Sequence, residues 1–118
     1  MAVAFRPDEV LELEFAVASE EKNGTAHVRL SGEFDLAGIP LFVEELERLQ
    51  RNGRDITVVD LEQLLFIDAV GLHALVAVRD RVREGGSPPA LVGASPVVAR
   101  VFELVGVEHR LADRPGPR

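Results

Sequence analysis

Few residues of this chain could do chemistry, and two aspartates stand out among them. Asp35 lies in SGEFDLAGIP (31–40) and Asp68 in VVDLEQLLFIDAVGL (58–72), each where a period of two gives way to a helical period. A carboxylate at such a corner can accept a backbone N–H from the first helical turn, and it can equally face a partner. Ser95, just ahead of Pro96, fits the same position, and helix capping alone would account for it. A catalytic constellation would need a nucleophile beside a base. None of His27, His73 and His109 falls near a plausible serine in the strand pattern. The histidines also lack ligand spacing, cysteine is absent, and no glycine loop could cradle a phosphate. Glu20-Glu21 and Glu44-Glu45 read as solvated faces. The residues predict no enzyme, no metal and no cofactor.

The elements that must position these aspartates follow from periodicity. Residues 10–17 alternate, with Leu11, Leu13, Phe15 and Val17 on one face, which predicts a strand with one wet side. SEEKNG follows, and its Asn23-Gly24 pair signals a hairpin whose return strand alternates Ala26, Val28 and Leu30 with His27 and Arg29. Residues 36–51 switch to a helix with Ile39, Phe42, Val43, Leu46 and Leu49 on its core stripe; Asp35 caps it, Pro40 sits early and Asn52-Gly53 ends it. ITVVDL (56–61) is nearly continuous, as a strand covered on both faces should be. A second helix is predicted over 70–84 with Ala74, Leu75, Val78 and Val82 inward, stopped by Gly85-Gly86, and a short strand over 90–92. On its wheel Val70 and Ala77 fall beside the core stripe, and Leu72 and Val76 could instead pack on the third helix. That helix opens at Ser95-Pro96, turns Val97, Val98, Val101, Phe102, Leu104 and Val105 inward and closes at Gly106 with a contact from Val107.

The order is ββαβαβα. It predicts an α/β fold: a small mixed sheet, with an N-terminal hairpin and parallel strands joined by right-handed crossovers, packed with three helices. All three helices then start at carboxyl ends of strands, so Asp35, Asp68 and Ser95 should gather on one edge, where open α/β sheets usually carry function. Leu41 lies on the charged side of the first helix, off its core stripe, and could join an interface there.

Composition bounds the rest. With 118 residues and 47% hydrophobic content, the chain reads as one domain over 1–118, ordered over about 8–112 with a flexible tail at 113–118. A net charge of −7 argues against nucleic acid. MAVAFRP is too short for a signal peptide and no apolar run approaches the ~20 residues that span a bilayer, so no membrane insertion is expected and the cytoplasm is the default. Twelve arginines against one lysine, Lys22, with many Ala, Val and Gly, suggest a GC-rich bacterial genome.

From about Val10 to Leu111 the chain resembles the STAS domain of bacterial anti-sigma-factor antagonists. The resemblance rests on G-E-x-D at 32–35, V-x-D-L at 58–61, F-x-D-x-x-G-L at 66–72 and the Ser95-Pro96 helix start. It implies a regulatory protein-binding module whose partner is a kinase-type anti-sigma factor or a related protein. In such antagonists the aspartate precedes two hydroxyl residues and a glycine, and the second hydroxyl is phosphorylated by that kinase. This sequence departs there: Asp68-Ala69-Val70-Gly71 keeps the aspartate and glycine, and neither Ala69 nor Val70 can accept a phosphoryl group. The resemblance places partner binding on Asp35, Asp68, Ala69, Val70 and Gly71, with Leu41 beside them, and no phospho-acceptor at Val70. Gly71 would let the partner or the neighbouring corner come close, so Gly71→Val is expected to weaken binding more than stability. A STAS subunit of an ABC-type lipid-transport complex, or another scaffold, is the alternative; homo-oligomers are left open.

Overall fold

The computed structural model describes residues 14–82 and 88–112. A four-stranded sheet runs in sequence order, with β1 (Ala16–Lys22), β2 (Thr25–Phe34), β3 (Asp55–Ile67) and β4 (Ala90–Val92) side by side. β1 pairs antiparallel with β2, and β2, β3 and β4 are parallel. Helices α1 (Ile39–Arg51) and α2 (Ala69–Arg81) make the two crossovers, and α3 (Pro96–Val105) follows β4. The mixed sheet with three helices is the architecture expected from the sequence.

Local chemistry explains most boundaries. Asn23 and Gly24 take φ of +54° and +81°, the pair of positive values that a two-residue hairpin turn needs. β1 starts later than expected, at Ala16, and Ser19–Lys22 are strand where a connection was read; residues 10–13 lie outside the described part. A one-turn 3-10 helix (Leu36–Gly38) precedes α1, so Asp35 caps that turn while Gly38 stands at the start of α1. Pro40 in the first turn and Asn52-Gly53 after Arg51 bound α1 as expected. α3 has Ser95 accepting from the Val98 N–H and ends on Gly106 at φ +85°. The proposed glycine stop after α2, Gly85-Gly86, and the tail 113–118 lie outside the described residues.

All three helices share one core with one face of the sheet. Ala26, Val28, Leu30 and Phe34 of β2 meet Phe42, Leu46 and Leu49 of α1, Leu72 and Leu75 of α2, and Val98 and Phe102 of α3. Each large side chain buried there is worth about 1.5–3 kcal/mol, which outweighs helix propensity in fixing the arrangement. The stripe of α2 is rotated from the expected one: Gly71, Leu72 and Leu75 are buried, whereas Ala74 and Val78 are only half-buried. On α3, Val97 and Leu104 point outward, not inward, since Val98 and Phe102 alone are fully buried.

β3 corrects the sequence reading most. It is thirteen residues long: over 56–61, where a covered strand was expected, only Thr57 is exposed, whereas beyond Leu61 one face opens at Glu62, Gln63, Leu65 and Phe66. Pairing with β2 slips three times, each slip placing one extra residue in β3: at Thr57, within Leu61-Glu62 and at Leu65. The buried residues on the core face are Ile56, Val59, Leu61, Leu64 and Ile67, three apart wherever a bulge intervenes, which is why the sequence reading of this strand ends at Leu61. Across β1 and α1, Glu45 accepts from Ser19 Oγ at 2.6 Å and from Arg48 Nε at 2.7 Å. The Arg48 hydrogen bond, opposed by burial and assisted by Ser19, holds the Glu45 carboxyl below its ordinary pKa.

Candidate docking corner

Phe34, the last residue of β2, is the keystone of the candidate site. Its ring packs edge-on against Phe15 at 4.5 Å and against Phe42 at 5.6 Å between centroids. Its carbonyl accepts the Asp68 N–H at 3.2 Å, and its register partner in β3 is Ile67. The corners after these two paired strand ends are therefore neighbours, and Asp35 and Asp68 are brought together as expected. Ser95 is not. β4 ends opposite Asp60, and β3 continues past that point to Ile67, so the start of α3 lies set back along the sheet.

The two aspartates are built differently. Asp68 Oδ1 accepts the Gly71 N–H at 2.7 Å, a charge-assisted bond that fixes the first turn of α2. Asp35 Oδ1 accepts the Ala37 N–H at 3.0 Å on the exposed surface and caps a single 3-10 turn. Asp68→Ala should therefore cost about 1–2 kcal/mol in urea unfolding and Asp35→Ala less than about 0.5 kcal/mol. Equal losses would mean that Asp68 is not the structural cap of α2.

Gly71 is buried on the Phe34 backbone. A Cβ added there would stand 2.5 Å from the Phe34 carbonyl oxygen and 2.7 Å from Cδ1 of its ring. The close approach is to the neighbouring corner, and it changes the expectation for Gly71→Val: folding should suffer first. Gly38 has a similar role on the other side, with the Phe15 ring 2.7 Å from where its Cβ would be.

Apolar side chains stand open around this frame. Val70 is 52% exposed, one residue into α2, and Ala69 beside it is exposed as well. Leu36, in the turn that contacts α2, is 69% exposed. Leu41 is 51% exposed and shares a shallow concavity of about 380 Å³ with Glu33, Asp35, Ala37 and Gly38. Phe66 is also open, paired with Glu33 on the uncovered face of the sheet. The corner thus offers apolar contacts under an acidic rim of Glu33, Asp35 and Asp68. Leu36 and Phe66 were missed by sequence reasoning, because nothing local distinguishes an open leucine or phenylalanine from a core one. Asp60, the aspartate of V-x-D-L, lies away from the corner: it is buried, accepts the Glu62 N–H at 2.9 Å, and places Oδ2 3.6 Å from His27 Nε2.

The family model of the STAS domain matches residues 16–114. The chain belongs to the STAS domain family. This STAS domain is 26% identical over 81 residues to the anti-sigma-B factor antagonist of Staphylococcus aureus (strain NCTC 8325 / PS 47), covering 69% of the chain and 75% of that protein. Among solved structures, an anti-sigma factor antagonist from Mycobacterium paratuberculosis superposes with a TM-score of 0.71 at 22% identity, over 94% of this chain and 90% of that one. The anti-sigma factor antagonist SpoIIAA in its unphosphorylated form gives 0.67 at 22% identity, over 85% and 89%. These structures are similar in fold. Among the described residues of this STAS domain no group of acidic, histidine or cysteine side chains could hold a metal ion, and no helix is long and apolar enough to cross a membrane.

Proposed function

We propose that this STAS domain is a docking module of the anti-sigma-factor-antagonist type, without a phosphorylation switch at the start of α2. The observation that carries the reading is the exposed Val70, two residues past the Asp68 cap, at the position where the resembled antagonists carry a hydroxyl. A phosphate there would add roughly −1.5 to −2 charges and three acceptors, enough to eject a partner. Valine presents a fixed apolar surface instead. The partner is a kinase-type anti-sigma factor or a related protein, met in the cytoplasm; catalysis by this chain has no part in the reading. Asp68 and Gly71 hold the corner's shape, and Asp35, Ala69, Val70 and Leu41 face the partner. The acidic rim around them and the net charge of −7 disfavour nucleic acid as that partner.

Affinity capture from the native cell, with mass spectrometry, tests the partner. Recovery of an anti-sigma factor, lost with Val70→Asp, supports the reading; recovery of lipid-transport subunits transfers the domain to that role. Incubation with the captured kinase and ATP should leave 68–72 unmodified, because Ala69 and Val70 offer no hydroxyl. Intact-mass measurement with a peptide map checks this, and phosphate elsewhere is compatible with it. A phosphopeptide modified between Asp68 and Leu72 would contradict both the register and the chemistry.

A further inference from the structure

The outer flank of α3 has the character of a contact surface, and it lies apart from the docking corner. Val97 and Leu104 are 57% and 68% exposed, two of the most open large apolar side chains among the described residues. They are seven residues apart, two helical turns, and half-buried Val101 lies between them, so the three form one stripe. Arg100 and Glu103 border the stripe on its solvent side. They are both largely exposed and joined within the helix at 2.9 Å.

We propose that this flank pairs with the same flank of a second copy of the chain, α3 against α3 in antiparallel orientation. In an isologous contact one patch meets itself, and in an antiparallel helix pair each border meets the same border of the other helix. An axis near Val101 lays Leu104 of each copy on Val97 of the other. It also brings Arg100 of each copy within reach of Glu103 of the other, turning two local ion pairs into a four-charge ring. A parallel two-fold pair would instead set this charged border against the opposite, core-facing border of the other helix, where Val98 and Val105 offer no charge. The charge order on this helix therefore selects both the occupant and its direction. The acidic corner, by contrast, would repel its own copy.

A single ten-residue helix, about 15 Å long, buries less than the ~1,000 Å² expected of a stable dimer, so the association is weak and reversible. The inference stands on the fold alone and does not depend on the proposed partner. Because the corner lies on a different part of the molecule, both corners of the dimer stay open.

Sedimentation equilibrium of the full chain between about 10 μM and 1 mM tests the pairing. Wild type should shift from monomer to dimer across that range, and Leu104→Asp should remain monomeric with an unchanged circular dichroism spectrum. Arg100→Glu should weaken association at least fivefold, and the double exchange Arg100→Glu with Glu103→Arg should restore it to within twofold of wild type. A wild-type chain that stays monomeric at 1 mM overturns the proposal. So does a dimer that survives Leu104→Asp, or a double exchange no better than the single one.

Discussion

Val70→Asp is expected to lower affinity for the docking partner more than tenfold while leaving the fold intact. Val70 is half-exposed in the first turn of α2, two residues past Asp68, and the pairing of Phe34 with Ile67 brings Asp35 to the neighbouring corner. A carboxylate there must be desolvated at the interface and must also face that acidic rim. The two costs together are at least ~2 kcal/mol. Folding should tolerate the change, since an acidic residue in the first turn of a helix is favoured by the helix dipole. Val70→Ser is the counterpart: binding stays within about twofold, and a kinase partner then gains a phosphorylation site. Isothermal titration against the captured partner measures both, with circular dichroism as the folding control. If Val70→Asp remains folded and binds within a factor of two of wild type, the interface lies elsewhere and the docking assignment fails.

A large loss of stability is expected already of Gly71→Ala. The added methyl would stand 2.5 Å from the Phe34 carbonyl oxygen, a backbone atom that already accepts the Asp68 N–H. Neither side can yield cheaply. Moving α2 away breaks the bond that joins the corners, and moving Phe34 disturbs a ring packed between Phe15 and Phe42. Overpacking of this kind costs about 3 kcal/mol, which in a chain of this size lowers Tm by roughly 10 °C. Gly38→Ala makes a useful control. Its Cβ would meet the half-exposed Phe15 ring, Cδ2 at 2.7 Å and Cγ at 2.9 Å, so only side-chain atoms have to shift and its cost should be smaller than that of Gly71→Ala. Urea unfolding separates the two, and a Gly71→Ala protein within 0.5 kcal/mol of wild type would show that α2 is not seated on Phe34.

The parts of the fold governed by local chemistry were legible in the sequence. The Asn23-Gly24 turn, the Ser95 cap, the Gly106 stop and the stripe of α1 each depend on a few neighbouring residues and sit where their types require. What the sequence hid depends on distant partners. The second half of β3 was unreadable because its bulges are set by pairing with β2, so Leu61, Leu64 and Ile67 are buried with a spacing that belongs to neither a plain strand nor a helix. Val97 and Leu104 were read as core because α3 is apolar on more of its circumference than the sheet can cover. At the corner, Asp35, Asp68, Val70, Gly71 and Leu41 could be named from spacing and family resemblance. Leu36 and Phe66 could not, since their exposure is fixed only when the two strand ends meet.

The register of β2 and β3 gives the molecule two unlike ends. Thr25 pairs with Asp55 at one, beside the Asn23-Gly24 and Asn52-Gly53 turns, and Phe34 pairs with Ile67 at the other. Ten residues of β2 separate them, roughly 30 Å of strand. The chain has no cysteine, so a single one introduced at exposed Asn52 would be its only thiol. A fluorophore or surface tether attached there would leave the docking corner pointing away from the attachment, and encounters could be followed in real time without the label entering the contact.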